Sequence, residues 1–278
     1  MSLSLVGLSI LFTVFVWWAS TGAILWLDRR FGAGRRGGII GLTVVALAGL
    51  GGLIFSLEDA TPRGAVIAFS SSLAIWGWHE GAFLMGIVTG PSKLACPMRA
   101  TGWKRFREAS ATLIHHEIAL AVTLLLLALV TLGHPNAVAL WTFGVLFVSR
   151  LSAKFNLFLG VPNFSVEFFP ARLAYLTTYL RKSPGNWLMP VSLIAGAAGL
   201  WLEWRALARA DAFAMVGLSL VMTLTALAMI EHLFMLLPIA DAALWKWALP
   251  SPPTSSHSPS PTRPAQTAPH TPHRRSPR

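Results

Sequence analysis

The sequence predicts an all-α protein, a polytopic membrane helix bundle of about seven transmembrane helices. Apolar residues make up 54% of the 278 residues, and charged residues make up only 12%. An average soluble domain carries about 25% charged residues, so this chain lacks the charge for a water-exposed surface. A wholly disordered chain would be poorer in apolar residues, and the single Cys96 excludes a disulfide scaffold.

Seven apolar runs account for this composition, most of them near the ~20 residues that a helix needs to cross a bilayer. The predicted spans are Leu3 to Leu27, Gly38 to Leu57, Ala65 to Val88, Ala109 to Leu132, Val138 to Leu159, Trp187 to Trp201 and Ala212 to Ile239. The first run has no basic segment before it and is too long for a signal-peptide core, which predicts a retained helix.

Two segments fall outside the predicted spans. Residues 160–186 mix aromatic and charged side chains, and a short interfacial helix is expected from Ala171 to Arg181. Residues 250–278 are rich in Ser, Pro, Thr and His and contain no apolar run, which predicts disorder. The expected organisation is a transmembrane domain over residues 1–249 followed by a disordered tail over residues 250–278.

The distribution of basic residues predicts the orientation of the bundle. The first, third and fifth loops carry four, five and three Lys or Arg, whereas the even-numbered loops carry three in total. Cytoplasmic loops are enriched in basic residues, so the amino terminus is expected outside and the carboxyl terminus in the cytoplasm. Because the net charge of +11 is spread over short loops between spans, it does not indicate a nucleic-acid-binding surface.

Histidine lies next to glutamate in three of the predicted spans. The pairs are His79 with Glu80 in the third span, His115 and His116 with Glu117 in the fourth, and Glu231 with His232 in the seventh. At 1.5 Å per residue, all three would lie roughly 10–14 Å below the cytoplasmic surface. An ionisable group in hydrocarbon is costly, so the coincidence predicts one shared polar site inside the membrane.

The chemistry of such a site stays open between three interpretations. Imidazole and carboxylate groups suit a transition metal or a pigment, although the Glu-x-x-His spacing of di-iron sites is absent. Cross-helix pairing that holds the bundle together explains the same residues, and so does a proton or substrate path. Arg150, Lys154 and Asn156 in the fifth span would support the site, either by neutralising carboxylates or by reaching the interface.

Several motifs together resemble one known family. They are the stretch from Trp78 to Gly86, Thr89-Gly90-Pro91, Cys96-Pro97, Trp103 to Phe106, His115 to Ala119, Lys154 to Asn163, and Glu231 to Phe234. In combination they resemble the PuhE-type photosynthetic complex assembly proteins of anoxygenic phototrophic bacteria. The resemblance covers roughly residues 1–249 and leaves the tail uncovered.

The resemblance implies a multi-pass protein of the bacterial inner, intracytoplasmic photosynthetic membrane. Such a protein would assist assembly or regulation of the photosynthetic complex, with reaction-centre or light-harvesting subunits and membrane lipid as partners. An intramembrane histidine could then ligate the magnesium of a bacteriochlorophyll. The alternatives are a metal-dependent membrane enzyme acting on a lipophilic substrate such as a tetrapyrrole, and a proton-coupled transporter.

Overall fold

The computed structural model describes residues 2–31, 36–239 and 241–249, and these residues form a bundle of helices. The α-helices are α1 (Ser2–Phe31), α2 (Arg36–Ser56), α3 (Pro62–Leu84), α4 (Gly102–Ala111), α5 (Ile114–Thr131), α6 (Val138–Leu159), α7 (Ala174–Thr177), α8 (Leu188–Leu207) and α9 (Ala212–Phe234). The described part of the chain contains no strand, only an isolated bridge between Val161 and Lys182. The predicted all-α class is confirmed.

Five helices in the described ranges are long and apolar enough to cross a membrane. They are Ser4–Phe31 within α1, Arg36–Ser56, Ile114–Thr131, Val138–Leu159 and Ala212–Phe234. Helices α3 and α8 have similar lengths, 23 and 20 residues, but do not meet the same criterion. The protein is therefore a helical membrane bundle, and the number of seven spans stays a prediction.

Helix α3 lies in the middle of the bundle and packs against α2, α6 and α9. Its start is defined locally, because the Thr61 hydroxyl accepts a hydrogen bond from the Gly64 amide and Pro62 occupies the first turn. Phe69 of α3, Phe143 of α6 and Leu220 of α9 are fully buried in the main apolar core. This position places the His79–Glu80 pair of α3 inside the bundle.

The predicted fourth span from Ala109 is wrong at its start, because the chain breaks between α4 and α5. In a continuous helix the Ala111 carbonyl would accept from His115, but it accepts from the Ser92 amide at 3.0 Å. The His116 amide, an unsatisfied donor of the first turn of α5, instead donates to the Thr89 carbonyl at 3.0 Å. The loop after α3 thus caps α5 and positions His116.

Gly90 permits this close approach of the loop to the helix break. A Cβ atom at this position would lie 2.6 Å from the Leu113 amide nitrogen and would overlap the Ala111 carbonyl oxygen. The obstacles are backbone atoms, which no rotamer change can remove. The Thr89-Gly90-Pro91 motif is therefore explained by packing at the α4–α5 break.

The segment over residues 160–186 contains less helix than expected. Two single 3₁₀ turns precede α7, which spans only Ala174–Thr177 instead of the predicted helix to Arg181. Arg172 anchors the segment, since it donates to the Leu84 carbonyl at 2.8 Å and pairs with Asp28 of α1. Burial lowers the pKa of the Arg172 guanidinium below its ordinary value.

The chain after α9 folds back along α1. The helix ends at Phe234 instead of the predicted Ile239. The indole of Trp245 donates to the Trp18 carbonyl at 2.9 Å, and the Trp247 ring occupies the space left by the missing side chain of Gly22. The predicted disordered tail over residues 250–278 lies outside the described residues.

The orientation of the bundle can be tested with a reporter fused after Leu249. Alkaline phosphatase folds only outside the cytoplasm, so the predicted cytoplasmic carboxyl terminus should give an inactive fusion. A green fluorescent protein fusion at the same position should fluoresce as the matched control. An active phosphatase fusion would contradict the predicted orientation.

Candidate functional site

Glu80 of α3 lies between two partners inside the bundle. Its carboxylate Oε2 accepts from the Arg150 guanidinium of α6 at 3.2 Å, and its Oε1 lies 3.6 Å from His116 Nε2 of α5. His116 is fully buried and Glu80 is 8% exposed, whereas the Arg150 side chain is 44% exposed. Three helices therefore meet through one carboxylate, one imidazole and one guanidinium.

A second ion pair lies one helical turn further along α6. Lys154 Nζ is 2.5 Å from Glu117 Oε1, and both side chains are largely buried. The Phe83 ring lies between the two pairs, 4.6 Å from the His116 ring and 5.7 Å from the Lys154 ammonium group. We call Glu80, His116, Glu117, Arg150 and Lys154 the charged cluster, in which two carboxylates face two basic side chains.

His79 takes no part in these ion pairs and contacts a hydroxyl group. Its Nε2 lies 2.9 Å from the Thr123 Oγ1 of α5, and its ring makes edge contacts with Trp78 and Phe143. Its Nδ1 atom is buried and has no hydrogen-bond partner among the described residues. Adjacent residues on a helix point about 100° apart, which explains why His79 and Glu80 have different partners.

His232 of α9 belongs to a different polar group. Its Nδ1 lies 2.8 Å from the Ala228 carbonyl, and its Nε2 lies 2.9 Å from the Ser152 hydroxyl of α6. Because only a donor can pair with a carbonyl, Nδ1 carries a proton. The Ser152 hydroxyl, which contacts Nε2, donates its own hydrogen to the Ser192 hydroxyl at 2.8 Å. The Asn156 amide donates to the hydroxyl of Ser192 at 3.0 Å.

We call His232, Ser152, Asn156 and Ser192 the serine–histidine cluster, and it faces away from the charged cluster. Ser152 and Asn156 are one turn apart on α6, as are Arg150 and Lys154. The two sets are offset by two residues, which corresponds to about 200° around the helix. The charged cluster and the serine–histidine cluster therefore lie on two different sides of α6.

The remaining predicted residues lie at the periphery of these clusters. Glu231 is exposed and accepts from the Trp17 indole of α1 at 2.9 Å. His115 is exposed, whereas its neighbour His116 is buried. The fourth predicted span thus contributes His116 and Glu117 to the charged cluster, and His115 lies outside it.

The described side chains do not assemble a set of metal ligands. Within residues 2–31, 36–239 and 241–249, no three His, Cys, Asp or Glu side chains converge as a possible metal site. Two apolar grooves of about 500 and 310 Å³ lie on the bundle, one between α1, α8 and α9 and one between α2, α3 and α5. Neither groove is lined by a histidine or a carboxylate, so neither offers an imidazole or carboxylate ligand to a metal or to the magnesium of a pigment.

What the charged cluster can do chemically follows from its charges and its unpaired atoms. Its carboxylates are neutralised by the cations of α6, so the cluster can hold α3, α5 and α6 together. Glu80 Oε1 and both ring nitrogens of His116 are buried without a hydrogen-bond partner among the described residues. These atoms can form hydrogen bonds with a buried water molecule, or Glu80 and His116 can share a proton.

The comparison with known proteins assigns the chain to a family. The family model described as "Protein of unknown function (DUF3623)" matches residues 3–256. The chain belongs to the DUF3623 family. A relative from Rhodobacter capsulatus, "Uncharacterized 30.4 kDa protein in puhA 5'region", is 43% identical over 245 residues, which cover 86% of this chain and 89% of the relative. No solved structure gives a significant match.

Sequence reasoning missed four side chains that contact the predicted polar residues of this DUF3623 chain. They are Phe83, Thr123, Ser152 and Ser192. A hydroxyl side chain in an apolar helix often bonds to its own backbone four residues earlier, as Thr123 does to Ala119 at 2.9 Å. The useful signal was the spacing of Ser152 four residues before Asn156, which places two polar groups on one face of α6.

Proposed function

We propose that the protein is an integral membrane factor for assembly or regulation of the bacterial photosynthetic complex. The supporting observation is the relative from Rhodobacter capsulatus, whose name places it in the 5' region of the photosynthesis gene puhA. The similarity extends over most of both chains, so it is not limited to one shared helix. The proposed location is the photosynthetic inner membrane, with reaction-centre or light-harvesting subunits as partners.

The arrangement of the bundle agrees with a factor that acts through its surface. The charged cluster pairs cations and carboxylates inside the bundle, where they connect helices to one another. The alternative is a metal-dependent enzyme, and nothing among the described residues favours it: no three His, Cys, Asp or Glu side chains lie together as a possible metal site there. The helices instead expose many large apolar side chains, such as Leu47 of α2, Leu126 of α5 and Trp201 of α8. These faces can contact lipid or the spans of other membrane proteins.

Deletion of the gene in a phototrophic bacterium that carries it tests this proposal. We expect a severalfold lower level of reaction centre or light-harvesting complex 1, measured by near-infrared absorbance of isolated membranes. A plasmid copy of the gene should restore the spectrum, which controls for effects on neighbouring genes. Normal absorbance and normal phototrophic growth of the deletion strain would refute the proposed function.

A further inference from the structure

The segment between α3 and α5 displays an unusual surface. Its exposed cations are Lys93, Arg99, Lys104 and Arg107. The single acidic residue of this stretch, Glu108, lies 3.7 Å from Arg107 and leaves the other cations unbalanced. We call the exposed side of residues 93–107 the basic platform.

Large apolar side chains stand among these cations. Met98 is 103% exposed, and Leu94 and Trp103 are each 74% exposed. Contact of such side chains with water is unfavourable, by roughly 25 cal/mol per Å² of apolar surface. The basic platform therefore needs a partner that is both apolar and negatively charged.

The platform is held in place by hydrogen bonds and is not a free loop. Arg105 donates to the carbonyls of Phe158 at 3.1 Å and Tyr179 at 2.5 Å, and its guanidinium lies 4.0 Å from the centre of the Phe158 ring. The Tyr179 hydroxyl donates to the Leu94 carbonyl at 3.2 Å. A surface fixed in this way loses little conformational entropy when it binds a partner.

The position of the platform favours a membrane surface as that partner. Phe106 of α4 stacks on Phe155, with ring centres 6.3 Å apart, and makes an edge contact with Phe158. Both partners lie in the last turns of α6, which ends at Leu159, so α4 lies beside the end of an apolar helix. Tryptophan and basic side chains are the residues expected at headgroup depth.

We propose that the basic platform binds the anionic phospholipid headgroups of the adjacent membrane leaflet. Lys93, Arg99, Lys104 and Arg107 contact the phosphate groups, and the side chains of Leu94, Met98 and Trp103 enter the layer between headgroups and acyl chains. The inference is independent of the proposed function. It assigns to this surface a lipid preference that the apolar helices alone would not produce.

The test uses the full chain in vesicles, with a reporter at the most exposed position of the platform. A nitroxide is attached to Met98→Cys in a Cys96→Ser background, and its accessibility to oxygen and to a water-soluble nickel chelate is measured. Vesicles contain phosphatidylcholine with increasing phosphatidylglycerol. We expect the nitroxide to become protected from the nickel chelate as the phosphatidylglycerol fraction rises, and high salt to reverse the protection.

Two matched variants identify the cause of the protection. Arg99→Gln with Lys104→Gln should weaken the response to phosphatidylglycerol by about fivefold for each cation removed. Arg63→Gln with Arg209→Gln removes the same charge from exposed positions in other loops and should leave the response unchanged. Equal loss in both variants, or protection that ignores lipid charge, would overturn the proposal. A nitroxide that stays exposed to water in every vesicle would also overturn it and would indicate an acidic protein partner instead.

Discussion

Replacing Lys154 with methionine should lower the free energy of unfolding by about 3–5 kcal/mol, the usual cost of breaking a buried ion pair from one side. The side chains of Lys154 and Glu117 are only 18% and 13% exposed. Methionine fills a similar volume but leaves the Glu117 carboxylate without its nearest cation in apolar surroundings. The measurement is unfolding of the purified protein in mixed detergent micelles, followed by tryptophan fluorescence.

The matched control removes both charges at once. The double variant Lys154→Met with Glu117→Gln should regain most of the lost stability, because a neutral pair in an apolar environment carries no unpaired charge. A double-variant cycle then separates the pair from the volume change at each position. A single variant as stable as the parent would show that the Lys154–Glu117 ion pair is not a stabilising element of the bundle.

Replacing Gly90 with alanine should be the most damaging small substitution in the loop after α3. The added Cβ meets the backbone of Ala111 and Leu113, so the loop has to move away from the α4–α5 break. The expected loss of stability is at least the ~1–3 kcal/mol typical of overpacking, together with the hydrogen bond from His116 to Thr89. Thermal unfolding in mild detergent measures the effect.

Gly41 provides the control for this substitution. A Cβ at Gly41 of α2 would meet nothing within 4 Å. Alanine there should be neutral or slightly stabilising, since glycine in a helix interior costs about 0.5–1 kcal/mol relative to alanine. Equal effects at Gly41 and Gly90 would argue against the close packing of the loop on the helix break.

Much of the fold could be predicted because a lipid environment restricts the chain so strongly. Backbone polar groups in hydrocarbon must pair within their own segment, so a long apolar run has few options besides a helix. The run from Val138 to Leu159 was predicted with the bounds that α6 has in the structure. The predicted bounds of the spans that begin at Ala65 and Ala109 are less accurate, because these helix ends depend on a loop that packs back on them.

The partners within the polar clusters could not be predicted from the sequence. The pattern identified His79, Glu80, His116, Glu117 and His232 as residues that need an explanation inside a membrane. Spacing along a helix gives depth, but it gives no information on the rotation of one helix relative to another. The single shared site was therefore expected from depth alone, and the structure instead gives α6 two polar faces.

The sequence by itself determined the class of the protein, the positions of most helices and the residues whose burial is costly, because these depend on local composition and on the bilayer. The tertiary structure decided which charges meet. Arg150 pairs with Glu80, Lys154 pairs with Glu117, and His232 turns to Ser152. Each contact joins residues at least 37 positions apart in the chain, and it is fixed by the rotation and packing of helices that share no local signal.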